Sequence, residues 1–261
     1  MSGGAGLQRG RERGGAGGVA ERERVAGTRT GGVAERGGVD GNGAGSVVEL
    51  RAARVHPTAM VEDGVEIGAG TSVWDHVHLR GPARIGADCI IGGKSYVAYG
   101  VEIGDRVKIN AYVYICTGVT IEDGVMISAG TIFTNDRFPR ATTPDLARLR
   151  DSGPDEHTRP TKVCTGATIG AGAIIGCDLA IGSWAMIGMG SVVTRSVPAF
   201  HLAVGNPARS IGLVCRCGEP TARFAAGRRP PPGDVECAAC GRRYRVRSNT
   251  VEELAPGEEA R

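Results

Sequence analysis

From Val55 onward an aliphatic residue recurs every six positions: Val55, Val61, Ile67, Val73, Leu79, Ile85, Ile91, Val97, Ile103, Ile109, Ile115, Ile121 and Ile127, closing at Phe133. Four residues after each stands a small or β-branched residue, as at Ala59, Val65, Thr71 and Cys89. After an interruption the ladder resumes in the same phase at Val163, Ile169, Ile175, Ile181, Ile187 and Val193. A helical period of 3.6 cannot produce this pattern, nor can the alternation of a simple strand. A period of six fits one flat side of a triangular coil, so three hexads make one coil of about 18 residues. The aliphatic residue points inward, the small one fills the corner, and each coil bonds to the next at about 4.8 Å. Twenty hexads then build six to seven coils, a prism on the order of 30 Å long. No single repeat can bury its inner side, and stacking supplies the core. The 43 glycines and the aromatic content of only 4% suit tight repetitive turns better than a conventional globular core.

The ends differ from the ladder. Residues 1–50 are rich in Gly, Arg, Glu and Ala, and GGVAER occurs twice, at Gly17–Arg22 and Gly31–Arg36. Little there can be buried, so a disordered extension is expected, unless the true start lies near Val47 or Val48. Seven Arg stand against five Glu and one Asp, which argues against a nucleic-acid arm. The formal charge of +3 implies no polyanionic partner. No apolar run is long enough for a membrane span and no secretory leader is visible. A cytoplasmic protein with reduced or metal-bound cysteines is therefore expected.

Beyond Arg209 the period disappears. Cys215-Arg216-Cys217-Gly218 and Cys237-Ala238-Ala239-Cys240-Gly241 form two short knuckles separated by 19 residues. Four thiolates in this arrangement suit tetrahedral Zn²⁺ with no position left for water, a structural site. A zinc ribbon is expected over residues 210–248, with a disordered tail over 249–261. Arg242, Arg243, Arg245 and Arg247 read as a solvated strand face, since Glu252, Glu253, Glu258 and Glu259 stand nearby. Cys89 occupies a corner and is packing, and Cys89, Cys116, Cys164 and Cys177 are assigned no nucleophilic role.

An insertion over residues 134–162 breaks the ladder, and a loop of that length inside a compact domain is usually functional. It begins Phe133-Thr134-Asn135-Asp136-Arg137-Phe138-Pro139-Arg140-Ala141. This segment resembles one in the hexapeptide-repeat acyltransferases that N-acetylate nucleotide-linked amino sugars, of which the best known act on UDP-2-acetamido-3-amino-2,3-dideoxy-glucuronate. The resemblance runs from His56-Pro57-Thr58-Ala59 to Arg209. It takes in Val73-Trp74, His78, Lys108-Ile109, Glu122-Asp123-Gly124-Val125 and the closing Val204-Gly205-Asn206-Pro207-Ala208-Arg209. It implies a left-handed parallel β-helix over residues 51–209, acetyl-CoA or another acyl-CoA as co-substrate, and a homotrimer with active sites between subunits.

The resemblance also implies site residues. Asn135, Asp136 and His78 are the candidates for catalysis, the first two to orient the amine. Asn110, Tyr112, Arg137 and Arg140 are candidates for acceptor binding, with Arg140 facing a diphosphate or sugar carboxylate. Gly170, Ala171, Gly188 and Gly190, with Arg195 and Arg209, are candidates for the CoA groove. Each has a plainer reading: loop structure for Asn135 and Arg140, and a satisfied structural histidine for His78. Departures at Ala111 and at Gly93-Lys94 leave the acceptor open. Three functions remain: acylation of a nucleotide-linked amino sugar, acylation of another acceptor such as an antibiotic, or a non-catalytic scaffold. The insertion and the closing segment argue against the last. A carbonic anhydrase of this fold needs three histidines on neighbouring coils, which the five present do not supply.

Overall fold

A computed structural model describes residues 52–255 apart from Ser152 and Asn249. The expected extension over 1–50 and the end of the expected tail, 256–261, lie outside the described residues. The rest is all β, in the expected fold class. Three parallel sheets wrap one prism. The first side carries strands from Arg54–Val55 to Met186–Ile187 and His201–Gly205, the second from Met60–Val61 to Val192–Val193, the third from Val65–Ile67 to Leu179–Ile181. Register confirms the 18-residue coil: Ile91 pairs with Val73 and Ile109, and Ile109 with Ile127. The insertion is looped out without disturbing it, since Ile127 pairs with Ile169 and Phe133 with Ile175. Seven coils and the first side of an eighth result, slightly more than the hexads suggested, because His201–Gly205 adds another strand to the first side.

The inward aliphatic residues are buried almost completely, Leu79, Ile91, Ile109, Ile127, Ile169 and Ile181 among them. Removing any of them to Ala would cost about 2–5 kcal/mol. Buried hydroxyls at the corners are satisfied across coils: Thr71 Oγ1 donates to Gly86 O, and Ser95 Oγ donates to Asn110 O. The chain turns most corners through a residue in the left-handed region. Between the first and second sides these are His76, Lys94 and Tyr112, then Gly130, Gly172 and Gly190 in the later coils.

The insertion leaves after the second-side strand Ile132–Phe133 and re-enters at Thr161–Val163, two residues earlier than expected, because Thr161 and Lys162 already pair with Val119 and Thr120. It is folded on itself by bridges Asp136–Thr158 and Thr142–Leu149.

After the solenoid, His201–Gly205 and Ala208–Val214 form an antiparallel pair joined by Pro220–Arg223. A separate three-stranded sheet contains Gly233–Glu236, Arg243–Arg247 and Thr250–Glu253. The expected tail therefore begins too early: Thr250–Glu253 pairs with Arg243–Arg247 and Leu254 is buried. Arg245 Nε pairs with Asp234 at 3.0 Å, and Arg242 Nε, just before the strand, with Glu253 at 3.1 Å.

Candidate active site and metal centre

Outward residues on the second side fall at the same point of successive coils, giving the row Met60, His78, Tyr96, Tyr114, Ile132 and Ile174. Tyr96 and Tyr114 stack with centroids 5.1 Å apart, and His78 meets Tyr96 edge-on at 5.3 Å. Tyr114, Ile132 and Ile174 are exposed. The outward row of the third side is polar or charged at Glu66, Arg84, Glu102, Thr120 and Lys162.

His78 is not alone. Its Nε2 lies 2.8 Å from Glu62 Oε1, and Arg80 Nε lies 2.8 Å from the same oxygen and 3.0 Å from Oε2. Arg80 also donates to Tyr96 Oη at 3.3 Å and sits over the Tyr99 ring. Arg80 first and His78 second hold the Glu62 carboxyl below its usual range. With Nε2–H given to the carboxylate, a neutral His78 carries its lone pair on Nδ1. Sequence reasoning found His78 but missed Glu62, Arg80 and Tyr96. The signal was present, because Glu62 and Arg80 are one 18-residue coil apart, as are His78 and Tyr96.

The corner between the first and second sides carries a second group. Asp75 holds Lys94 Nζ at 2.8 Å, and that ammonium sits over the exposed Tyr112 ring. Lys94 pulls the Asp75 carboxyl down to about 2. A groove of about 470 Å³ beside them is lined by Trp74, Asp75, Ile90, Asn110 and Ala129. Asn110 and Tyr112 thus share one corner of one coil.

Further along this corner the later coils turn at Gly130, Gly172 and Gly190. A Cβ added at Gly172 or Gly190 would meet nothing within 4 Å, and Met189 is exposed. The result is an open shelf of bare backbone beside Ala129, Ala171 and Met189. Gly170 and Gly188 are different. A Cβ at Gly170 would sit 2.5 Å from Met189 N, and at Gly188 2.6 Å from a Val204 methyl. Coil stacking demands a glycine at both of those positions. Arg195 is exposed after the second-side strand Val192–Val193, whereas Arg209 lies on the antiparallel strand and donates to Ala208 O. They belong to different corners.

The corner between the second and third sides carries the insertion. Asn135 Nδ2 donates to Thr117 O of the preceding coil, and Asn135 O accepts from Arg159 N. The Asp136 carboxylate accepts from Phe138 N at 2.7 Å and lies 3.5 Å from Arg150, which also holds Asp155 at 2.8 Å. Asp136 therefore closes the loop within this chain. Arg137 lies 3.6 Å from Asp178 of the next coil, and Arg140 is exposed, donating to Pro139 O. Asn135 and His78 are three coils apart, about 14 Å along the prism. The residues expected to share one site consequently lie on two different edges and at two heights.

The four C-terminal cysteines converge. Their sulfurs all lie within 4.8 Å of one another, with Cys215–Cys240 at 3.4 Å and Cys217–Cys237 at 3.6 Å. Bonds of about 2.3 Å to tetrahedral zinc put sulfurs about 3.8 Å apart, so the donor set fits. Gly218 and Gly241 turn the two knuckles with positive φ, donating to Cys215 O and Cys237 O. Arg242, through its backbone N–H first and its side chain second, draws the Cys240 thiol down to about 6.

Comparison with known proteins agrees with this architecture. Residues 100–135 match the family described as bacterial transferase hexapeptide (six repeats), and residues 82–116 the hexapeptide repeat of succinyl-transferase. The chain is 38% identical over 200 residues to the dTDP-3-amino-3,6-dideoxy-alpha-D-galactopyranose 3-N-acetyltransferase of Aneurinibacillus thermoaerophilus, covering 77% of this chain and 94% of that one. It is 26% identical to the bifunctional protein GlmU of Nitratidesulfovibrio vulgaris over 60% of this chain, spanning only 34% of that protein. Among solved structures it resembles a mutant of AntD, an N-acyltransferase from Bacillus cereus, in complex with dTDP and Coenzyme A. That match has 20% identity and a TM-score of 0.43, over 64% of this chain and 86% of that one.

Proposed function

The chain belongs to the hexapeptide-repeat acyltransferases, and from that premise we propose that it transfers an acyl group, acetyl in the simplest case, from CoA to the amine of a nucleotide-linked amino sugar. The observation that carries this is the 38% identity to a dTDP-amino-sugar N-acetyltransferase across 94% of that enzyme. The placement of the candidate residues on two edges supports a site built by two copies. The corner with Asn110, Tyr112 and the glycine shelf comes from one subunit, and the insertion with Asn135 from its neighbour. The apolar row through Tyr114, Ile132 and Ile174 faces between those edges and suits a homotrimer closed around it.

On this reading the pantetheine arm lies along Ala171, Gly172 and Gly190, where no side chain blocks the backbone, and the acyl carbon reaches the coil of Asn110 and Tyr112. Asn135 of the partner subunit is only about one coil away along the axis and orients the acceptor amine through its carboxamide oxygen. The amine nitrogen bonds to the thioester carbon, the C–S bond breaks, and the amine proton passes to the departing thiolate. An amino sugar is partly neutral near pH 7, so a strong protein base is not required. A backbone N–H on a coil edge steadies the oxyanion. Arg140 meets the acceptor's anionic group from the loop. His78, with Glu62 and Arg80, stands too far along the axis to reach the same amine and binds the distal part of the acceptor.

The cysteine cluster holds a structural zinc ion, four thiolates filling every position. Thiol release from acetyl-CoA, measured across UDP-, dTDP- and GDP-linked amino sugars, tests the proposal. Turnover with one or more of these acceptors is expected. No thiol release with any of them, and no CoA binding by calorimetry, would overturn it.

A further inference from the structure

The metal centre is built partly from the solenoid. Cys215 directly follows Val214, the last residue of the strand that pairs with His201–Gly205, and Val214 N donates to Phe200 O at 2.8 Å. Cys237 and Cys240 follow the strand Gly233–Glu236 of the separate three-stranded sheet. Phe200 of the last coil, Cys215, Cys237 and Tyr244 form one buried cluster, with Trp184 and Ala199 packed against it. Phe200 and Tyr244 lie with ring centroids 5.2 Å apart.

Two side chains join the thiolates to the coil. The Tyr244 hydroxyl lies 3.0 Å from Cys215 Sγ and accepts from Arg216 N at 3.1 Å. Because it accepts from that N–H, its own proton is directed at the sulfur. It ties the first ligand of the first knuckle, the one shortened to a single intervening residue, to the backbone of Arg216. Arg216, between the two ligands, stacks its guanidinium 4.3 Å above the Trp184 ring and reaches Glu253 at 3.0 Å. The Trp184 ring is also seated against Gly166, where any Cβ would collide with it.

We propose that this metal site is a clamp on the last coil of the solenoid, coupled to it through Tyr244, Arg216 and Phe200. The proposal rests on the zinc reading above. Each half of the ligand set belongs to a different sheet, so the ion ties the three-stranded sheet onto Phe200 and Trp184. Without it nothing joins the two halves of the ligand set, so Phe200 and Trp184 lose their cover and Ala208–Val214 is freed at its outer end. Trp184 and Phe200 turn the corner between the third and first sides, opposite the apolar second side. The clamp therefore acts on the order of the final coil and contributes no group to the acyl-transfer site.

Full-length protein is used for the test. Zinc content and chelator-driven zinc release are measured by a colorimetric metal indicator, and hydrogen exchange is followed by mass spectrometry before and after release. One zinc per chain is expected. Its removal should speed exchange by at least about tenfold in peptides spanning 199–216, while peptides spanning 84–110 stay unchanged. Tyr244→Phe should hold zinc about tenfold more weakly, the usual loss when a supporting hydrogen bond to a ligand is removed. Arg216→Ala, which keeps all four thiolates, should keep zinc and still raise exchange over 199–216. Zinc released with no change at 199–216 would overturn the clamp and leave the zinc site standing. A protein that binds no zinc would sink both.

Discussion

Glu62 Oε1 lies 2.8 Å from His78 Nε2, sixteen residues apart in the chain and on adjacent coils of the prism. Arg80 completes the group, and all three project near the start of the second side. In the proposed reading this cluster binds the acceptor and does not move the amine proton. His78→Asn should then raise the acceptor KM about tenfold, the scale of one hydrogen bond to a charged group, with kcat within about threefold. Glu62→Gln should do the same. Steady-state kinetics with saturating acyl-CoA checks this. A loss of about a hundredfold in kcat at unchanged KM would instead make His78 a general base.

Gly170 and Gly172 are two residues apart and should respond oppositely. A methyl at Gly170 meets the backbone of the next coil at 2.5 Å, whereas one at Gly172 meets nothing. Gly172 has φ +67, so Gly172→Ala costs about 1–2 kcal/mol for the left-handed conformation. Gly170→Ala should lower Tm more strongly, through forced coil separation. Gly172→Ala should raise the KM for acyl-CoA several-fold while folding normally. Thermal melts and acyl-CoA titrations of both variants separate stacking from ligand approach. Equal KM effects would remove the shelf from the proposed site.

These two cases show what the sequence could and could not convey. The hexads were legible because an inward Ile every six residues is a periodic signal that no helix or flat strand shares. The role of a glycine was not, since Gly170 and Gly172 are the same residue in sequence and differ in backbone conformation and in where a Cβ would point. The Glu62–His78–Arg80 cluster was hidden by its spacing of 16 to 18 residues, which becomes a contact only after the coil length is applied. Asp136 was read as facing the amine, yet the loop places Arg150 and Phe138 N against its carboxylate. A folded insertion of this kind has no periodicity to reveal its contacts. The ribbon's last strand was missed because Thr250–Glu253 is short and charged, and only its pairing with Arg243–Arg247 makes it a strand.

His201 gives a pH dependence. It is 1% exposed, its Nδ1 lies 2.9 Å from Ser210 Oγ, and among the described residues its Nε2 has no hydrogen-bond partner. Burial pushes its pKa below 6.5. The unfolded chain therefore takes up the proton first as pH falls, and stability is full above about pH 6.5 and declines below it. His201→Gln removes that titration. Between pH 7.5 and 5.5 the Tm of the wild-type chain should fall further than that of the variant. Parallel slopes for the two would show that His201 contributes nothing to acid sensitivity.

The apolar row of the second side makes the assembly testable. Tyr114 and Ile132 are 45% and 44% exposed and belong to adjacent coils. A carboxylate placed in a closed interface between copies would be buried without a partner, at a cost of several kcal/mol. Ile132→Glu should therefore convert a trimer to monomers at micromolar concentration while the solenoid stays folded. Sedimentation and circular dichroism report the two properties independently. An unchanged mass would place the interface elsewhere.

A site shared between two copies has a consequence that a site within one chain cannot imitate. Tyr112 and Asn135 lie on different edges of the prism, the first at a left-handed corner residue and the second at the mouth of the insertion. Tyr112→Ala and Asn135→Ala should each lower acyl transfer strongly when purified alone. Co-expressed in equal amounts and assembled at random, they form mixed trimers. A competent site then arises wherever the corner comes from the Asn135→Ala chain and the loop from the Tyr112→Ala chain. Random assembly produces that combination at about a quarter of the interfaces in a closed ring, so about a quarter of wild-type activity should return. The double variant, carrying both changes on one chain and mixed with itself, should recover nothing. Activity in the mixture no greater than that of the separate variants would confine the site to a single subunit and remove the reason for a loop-to-corner assembly.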